Sequence, residues 1–139
     1  MNFLLDTNVA SEWTKPLPNP GIVKWLAEAD EDRLFLSVAT LAELRYGIER
    51  LAQGARRSRL ELWLSAELMP RFERRVLTVD ERIADSWGRV MAQSEARGRR
   101  MQAMDGMLAA TALALEFTLV TRNVGDFEAA GCVVLNPWS

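Results

Sequence analysis

No histidine occurs anywhere in the 139 residues, and cysteine appears once, at Cys132. The first absence removes Ser-His-Asp and Cys-His nucleophilic catalysis, histidine-dependent zinc sites, and nucleic-acid cleavage that uses imidazole as acid and base. The second removes an intrachain disulfide and any structural zinc site, and makes a cytoplasmic setting the natural expectation. Lysine is scarce as well: Lys15 and Lys24 are the only two among 17 basic residues. No apolar run approaches the length of a membrane span, and the N-terminus lacks the basic and apolar segments of a secretory leader. Low-complexity tracts and internal repeats are missing too. Mostly carboxylate chemistry is left for catalysis.

What is present has the balance of a soluble globular protein, 49% hydrophobic and 26% charged. The length suits one domain over residues 1–139, large enough for a real core and too short for two. A formal net charge of −2 argues against a protein that grips nucleic acid through overall basicity. The basic residues are nevertheless clustered: Arg56, Arg57 and Arg59; Arg71, Arg74 and Arg75; Arg97, Arg99 and Arg100. An acidic cleft rimmed by arginines fits a nuclease, and solvated helix faces account for any single cluster equally well.

Phe3-Leu4-Leu5 is a short apolar run without alternation, as expected of a strand buried on both faces of a parallel sheet. Asp6 ends it, Thr7-Asn8 turn the chain, and a short helix is expected from Val9 to Thr14. Asn19 as N-cap with Pro20 at the first helical position predicts a helix from Pro20 to Ala29. Leu34 to Ser37 reads as a second strand. Helices are expected from Thr40 to about Gly54 and from Arg57 to Leu68, the latter stopped by Pro70; together they form an αα-hairpin with apolar surface to spare. Val76-Leu77 is a third strand, and residues 80–96 and 104–117 read as helices. Thr118 to Thr121 and Val133 to Leu135 complete the strands. Short apolar strands alternating with helices indicate an α/β fold with a mostly parallel sheet.

Ligands in such sheets bind beyond the carboxyl ends of the strands. Asp6 stands there, with capping of the next helix as an equal alternative. Thr40-Leu41-Ala42-Glu43 fits a capping box, in which Glu43 reaches back to the helix start, yet Thr78-Val79-Asp80-Glu81 fits one equally. Glu43 differs by position, one turn inside the helix after the second strand. Asp105 shares a helix face with Met101, Leu108, Ala112 and Leu115, where a lone charge is costly unless paired, protonated or bound to metal; its alternative role is as the N-cap of a helix that starts at Gly106. Three carboxylates at one sheet edge raise one another's pKa, and a hard divalent cation, Mg²⁺ or Mn²⁺, removes the conflict. The expectation is that Glu43 and Asp105 converge on Asp6 to hold such an ion for phosphodiester cleavage, in RNA first of all.

Leu4-Leu5-Asp6-Thr7-Asn8-Val9, then Ser37 to Gly47 around Glu43, then Asp105 opening an Ala-rich helix, then Thr121-Arg122-Asn123 with Asp126-Phe127, resembles the PIN-domain proteins, and among them the VapC/FitB-type toxins of type II toxin–antitoxin pairs. The resemblance spans the whole chain, including Asn136-Pro137-Trp138. It implies a three-layer α/β/α sandwich, a Mg²⁺- or Mn²⁺-dependent endoribonuclease and a homodimer. It further implies a cognate antitoxin whose tail occupies the active-site groove and which alone contacts operator DNA. Asp6, Glu43 and Asp105 match the family's acidic triad, with Asp6 and Asp105 as direct metal ligands. One departure stands out: where many members place a fourth acid, this chain has Asn123, and the next acid is Asp126. Asn123 is read as a holder of a metal-bound water, Asp126 as a cap of the turn before Phe127, and the second metal site is in doubt. Thr7 and Thr121 orient carboxylates or phosphate, or are turn residues; Arg45 meets an RNA phosphate or an antitoxin carboxylate. Two rivals remain: a PIN-like scaffold without activity that serves only as an antitoxin-bound subunit, and a domain using Asp6 as a phosphoryl nucleophile. The second lacks the lysine after a later strand that it needs.

Overall fold

A computed structural model describes residues 1–139. Its centre is a five-stranded sheet in the order β3-β2-β1-β4-β5, parallel throughout. The strands are β1 (Phe3–Leu5), β2 (Leu34–Ser37), β3 (Val76–Leu77), β4 (Thr118–Val120) and β5 (Val134–Leu135). Leu4 and Leu5 are both fully buried, and because neighbouring strand residues face opposite ways they enter different cores. Leu4 and Leu119 join one apolar cluster, and Leu5 and Val120 the other. The sheet is therefore covered on both faces, and the fold is the expected α/β/α sandwich.

One layer is made by α6 (Glu81–Ala96) and α7 (Ala103–Leu115), through Ile83, Val90 and Leu108. The other holds α1 (Thr7–Glu12), α2 (Pro20–Glu28), α3 (Val38–Glu49) and α4 (Ala55–Leu62), with Val9, Ile22 and Ile48 inward. Helix α2 begins as its sequence demands, Asn19 Oδ1 accepting from the N–H groups of Gly21 and Ile22. Pro70 does not stop α4. The chain widens into a π-helical segment, Trp63–Leu68, and passes into a final turn, α5 (Met69–Arg71). A proline lacks the N–H that α-helical bonding requires, and the wider spacing accommodates that loss while keeping Leu64 and Leu68 buried.

Three local expectations are corrected. Helix α1 starts at Thr7 rather than Val9, because Asp6 serves directly as its N-cap. Helix α3 starts at Val38, capped by the Ser37 hydroxyl bonded to the Ala39 N–H, so Thr40 is an interior residue and no Thr40–Glu43 capping box exists. Helix α7 starts at Ala103, which makes Asp105 its third residue and not an N-cap. The arginine clusters mostly prove to be staples. Arg57 ties Glu49, Glu61 and the Leu51 carbonyl together, Arg71 pairs with Glu31, and Arg75 donates to the Leu34 carbonyl at 2.7 Å. No helix is long and apolar enough to cross a membrane.

Candidate active site

Strand order places the site. Beside β1 the chain direction of sheet growth reverses, β2 lying on one side and β4 on the other, and such switch points open a crevice at the carboxyl edge. Asp6 follows β1 there and Thr121 follows β4. The backbone ladder runs one residue past each strand, with the Asp6 N–H bonded to the Val120 carbonyl and the Thr121 N–H to Leu135. Both side chains are thereby fixed at the rim.

Asp6 is 4% exposed and accepts three hydrogen bonds. The Thr7 N–H donates to Oδ1 at 2.7 Å, the Thr121 hydroxyl to Oδ2 at 2.7 Å, and the Asn8 amide to Oδ2 at 3.3 Å. The Thr121 hydroxyl in turn accepts from the Asn123 N–H at 3.0 Å and from Asn8 at 3.2 Å, which uses all its bonding capacity and locks it. Burial raises the Asp6 pKa, the Thr121 and Thr7 hydrogen bonds lower it, and the charge of Asp126 raises it again; the net direction is upward. Asp6 is thus both helix cap and buried acid. The two readings coexist.

Glu43 reaches the same edge from α3, where its Oε1 accepts from the Thr7 hydroxyl at 2.8 Å. Asp105 comes from the first turn of α7. Together with Thr7, Asn8, Ser11, Glu12, Lys15, Arg122 and Asn123, the three acids line one cleft of about 370 Å³ that no hydrophobic side chain enters. Asp126 sits on the far side of Asp105, where the two share a smaller hollow with Arg99 and Arg100. It lies inside a four-residue helical turn, α8 (Val124–Phe127), rather than capping it, and the N-cap position belongs to Asn123.

The electrostatics of this edge are unbalanced. Asp105 has its pKa pushed up to about 6, first by burial and then by the charges of Asp6, Asp126 and Glu43. None of the four pairs with a lysine or arginine; every ion pair of the structure engages other carboxylates. No three of them close into a finished metal cluster. The donor set is nonetheless all oxygen, carboxylates with hydroxyl and amide neighbours, which suits a hard divalent cation that keeps several waters. A divalent cation fits these residues chemically.

Arg45 lies apart from this group. Its guanidinium is 3.9 Å from Glu61 on α4 and it does not line the acidic cleft. Five cleft residues have no role in the sequence reading: Asn8, Ser11, Glu12, Lys15 and Arg122. Glu12 had a visible signal, an acid on the short helix that Asp6 caps, three residues before the only lysine nearby.

A PIN domain family model matches residues 3–131. The plasmid stability protein StbB of Pseudomonas syringae pv. tomato is 42% identical over 136 residues, covering 98% of each chain. Toxin FitB of Neisseria gonorrhoeae is 38% identical, with 98% of each chain covered. A VapC ribonuclease of Sinorhizobium fredii is also 38% identical, over 98% of this chain and 97% of its own. Among solved structures, FitAB bound to a DNA fragment superposes with a TM-score of 0.91 at 36% identity, covering 99% of this chain and 96% of that one. Matched over nearly its whole length by model, relatives and structure alike, the chain belongs to the PIN-domain family, among toxins of the VapC/FitB type.

Proposed function

We propose that this protein is the toxin of a type II toxin–antitoxin pair and acts as a Mg²⁺- or Mn²⁺-dependent endoribonuclease. The observation that carries the reading is the unpaired acidic edge: Asp6, Glu43 and Asp105 line one cleft with no ion pair to a lysine or arginine, and burial together with the neighbouring charges holds Asp105 near pKa 6. Its likeness to a protein named as a VapC ribonuclease supports the choice of RNA. Asp6 and Asp105 would hold the ion, with Glu43 as a further ligand or as the group that orients the attacking water. A bound divalent ion supplies positive charge to the phosphate and makes a nearby water more acidic. Thr121 and Asn8 fix the Asp6 carboxylate, and Thr7 fixes Glu43, so the acids need no rearrangement when substrate arrives. Asn123 projects from the end of β4 into the same cleft, where an amide can hold a water. Asp126 raises the charge density next to Asp105 without a place in the cleft itself.

The same resemblance supports a cognate antitoxin as partner, operator DNA contacted through that antitoxin, a homodimer and a cytoplasmic location. Tyr46 on α3 and Leu62 on α4 stay exposed, as a surface for self-association would require. Purified protein freed of antitoxin is expected to cleave RNA with Mg²⁺ or Mn²⁺ and to stop on EDTA addition. Full cleavage by folded Asp6→Asn and Asp105→Asn variants would refute the assignment.

A further inference from the structure

Glu12 lines the acidic cleft yet behaves unlike the other acids in it. Only 3% exposed, it lies at the end of α1, where its carboxylate is ion-paired with Lys15 and accepts the Asn19 N–H at 2.9 Å. Burial disfavours its charge, but the Lys15 and Asn19 hydrogen bonds and the charges of Lys15 and Arg122 outweigh that, and its pKa is lowered. A carboxylate so neutralised has little to offer a metal. What it does is hold cations. Lys15 and Arg122 both line the cleft beside Glu12, and both also line a second, open cleft of about 610 Å³ walled by Pro18, Pro20 and Trp138. Arg122 is steadied from behind, its guanidinium carbon 5.8 Å from the centre of the Trp138 ring. The two clefts therefore adjoin along Glu12, Lys15 and Arg122, and there fixed positive charge borders the acidic edge.

Resting on the ribonuclease reading above, we infer that Lys15 and Arg122, tethered by buried Glu12 and by Trp138, bind the phosphates of the RNA strand as it leaves the carboxylates toward the Trp138 cleft. A polyanion must reach carboxylates that repel it, and cations at the mouth offset that repulsion without competing for the metal. The larger cleft of about 810 Å³ also borders the acidic edge, sharing Thr7, Ser11, Lys15 and Glu43 with it and holding Arg56 and Arg59. It lacks Arg122, however, and is partly walled by Leu44, Ile48, Leu60 and Trp63, a surface less suited to a charged backbone.

The test is steady-state cleavage of a single-stranded RNA of about 12 nucleotides, paired with fluorescence anisotropy of the same labelled RNA in EDTA, where no cleavage is needed. Lys15→Ala and Arg122→Ala are each expected to raise KM and the RNA dissociation constant about 5- to 10-fold, the change falling on KM rather than kcat. Each should lower the slope of log affinity against log salt by about 0.7. Lys15→Arg and Arg122→Lys should recover most of the loss, and Glu12→Gln should weaken binding about threefold by releasing Lys15. An Arg56→Ala/Arg59→Ala double variant should leave KM in place. Unchanged RNA affinity in Lys15→Ala and Arg122→Ala overturns the inference and leaves these cations to a protein carboxylate; so does a KM rise confined to the Arg56/Arg59 variant. Wild-type protein that binds RNA through Lys15 and Arg122 but never cleaves it would sink the ribonuclease reading alone.

Discussion

Two carboxylates that line one cleft, Glu12 and Asp105, have opposite electrostatic fates. Glu12 is the more deeply buried, yet it has a lysine, a backbone N–H and a nearby arginine, and its pKa falls. Asp105 is half-buried and ion-paired with no cation; burial first, and then the charges of Asp6, Asp126 and Glu43, raise its pKa to about 6. Burial alone does not distinguish a structural acid from one kept available; the partner does. A carboxylate neutralised within the protein is part of the frame. One left to repel its neighbours is the group that an external cation would relieve, as the proposed metal site asks.

The sharpest way to break this comparison is to neutralise the unpaired acids one at a time. Asp105→Asn or Asp6→Asn should lower kcat at least about 100-fold, since each removes an oxygen donor that nothing adjacent can replace. Thr7→Val is expected to cost about 10-fold in kcat. It deletes the 2.8 Å bond that aims Glu43 while leaving all the acids in place. A Thr7→Ser variant keeps the hydroxyl and should recover most of the rate. Equal kinetics in Thr7→Val and wild type would mean that Glu43 needs no such positioning.

The frame was far more readable from sequence than the wiring. Strands buried on both faces show as unbroken apolar runs, so Phe3 to Leu5 and Leu34 to Ser37 were visible, and with them the carboxyl edge and Asp6 upon it. Helix ends were less so. Helix α7 closes with Glu116 in the left-handed region at φ 58°, a place where glycine would have been the signal, and the expected end overran to Phe117. The Thr40–Glu43 pattern misled because Ser37, three residues earlier, satisfies the same helix end, and Glu43 turns to Thr7 instead. Links such as Thr121 to Asp6 join residues 115 apart in the chain. Nothing local announces them. Lys15 and Arg122 were passed over for the same reason, since only the fold brings them to the acids.

The pKa contrast itself predicts a stability effect. Asp105 in the folded chain binds protons up to about pH 6, whereas an ordinary aspartate releases them near 3.8. Between those values the folded state carries the extra proton, so this group makes stability fall as pH rises from about 4 through 6 and leaves it lower above. Discounted for its partial exposure, the penalty is about 1 kcal/mol. In EDTA at pH 8, Asp105→Asn should therefore raise Tm by about 3 °C, and the gain should vanish near pH 4. Mn²⁺ should reverse the order by stabilising wild type alone, with an affinity that weakens as pH drops below about 6. Glu12 has the opposite sign: its stabilising contribution is present above the ordinary glutamate range and is lost as pH falls through its lowered pKa. A metal-free wild type more stable than Asp105→Asn at pH 8 would erase the distinction between the two acids.

The smallest effect probes the support behind the cationic wall. Gly21 lies so close to the C-terminus that a Cβ there would stand 2.4 Å from the Pro137 carbonyl oxygen and 2.6 Å from the Ser139 nitrogen. Both are backbone atoms, so the tail must lift rather than a side chain rotate. Lifting it breaks the bonds by which Asn19 holds Ser139, a donation from Nδ2 at 3.1 Å and an acceptance at Oδ1 from the Ser139 N–H at 3.0 Å. Trp138 then leaves Arg122, and the guanidinium regains rotamers that it must surrender again when RNA binds. Gly21→Ala should cost about 1 kcal/mol in stability and raise KM two- to threefold, roughly what one mobile side chain is worth. A chain truncated before Pro137 should show the same KM, and adding Gly21→Ala to it should change nothing more, because the pair act through one contact. Independent, additive effects would mean that the tail braces the fold but not Arg122.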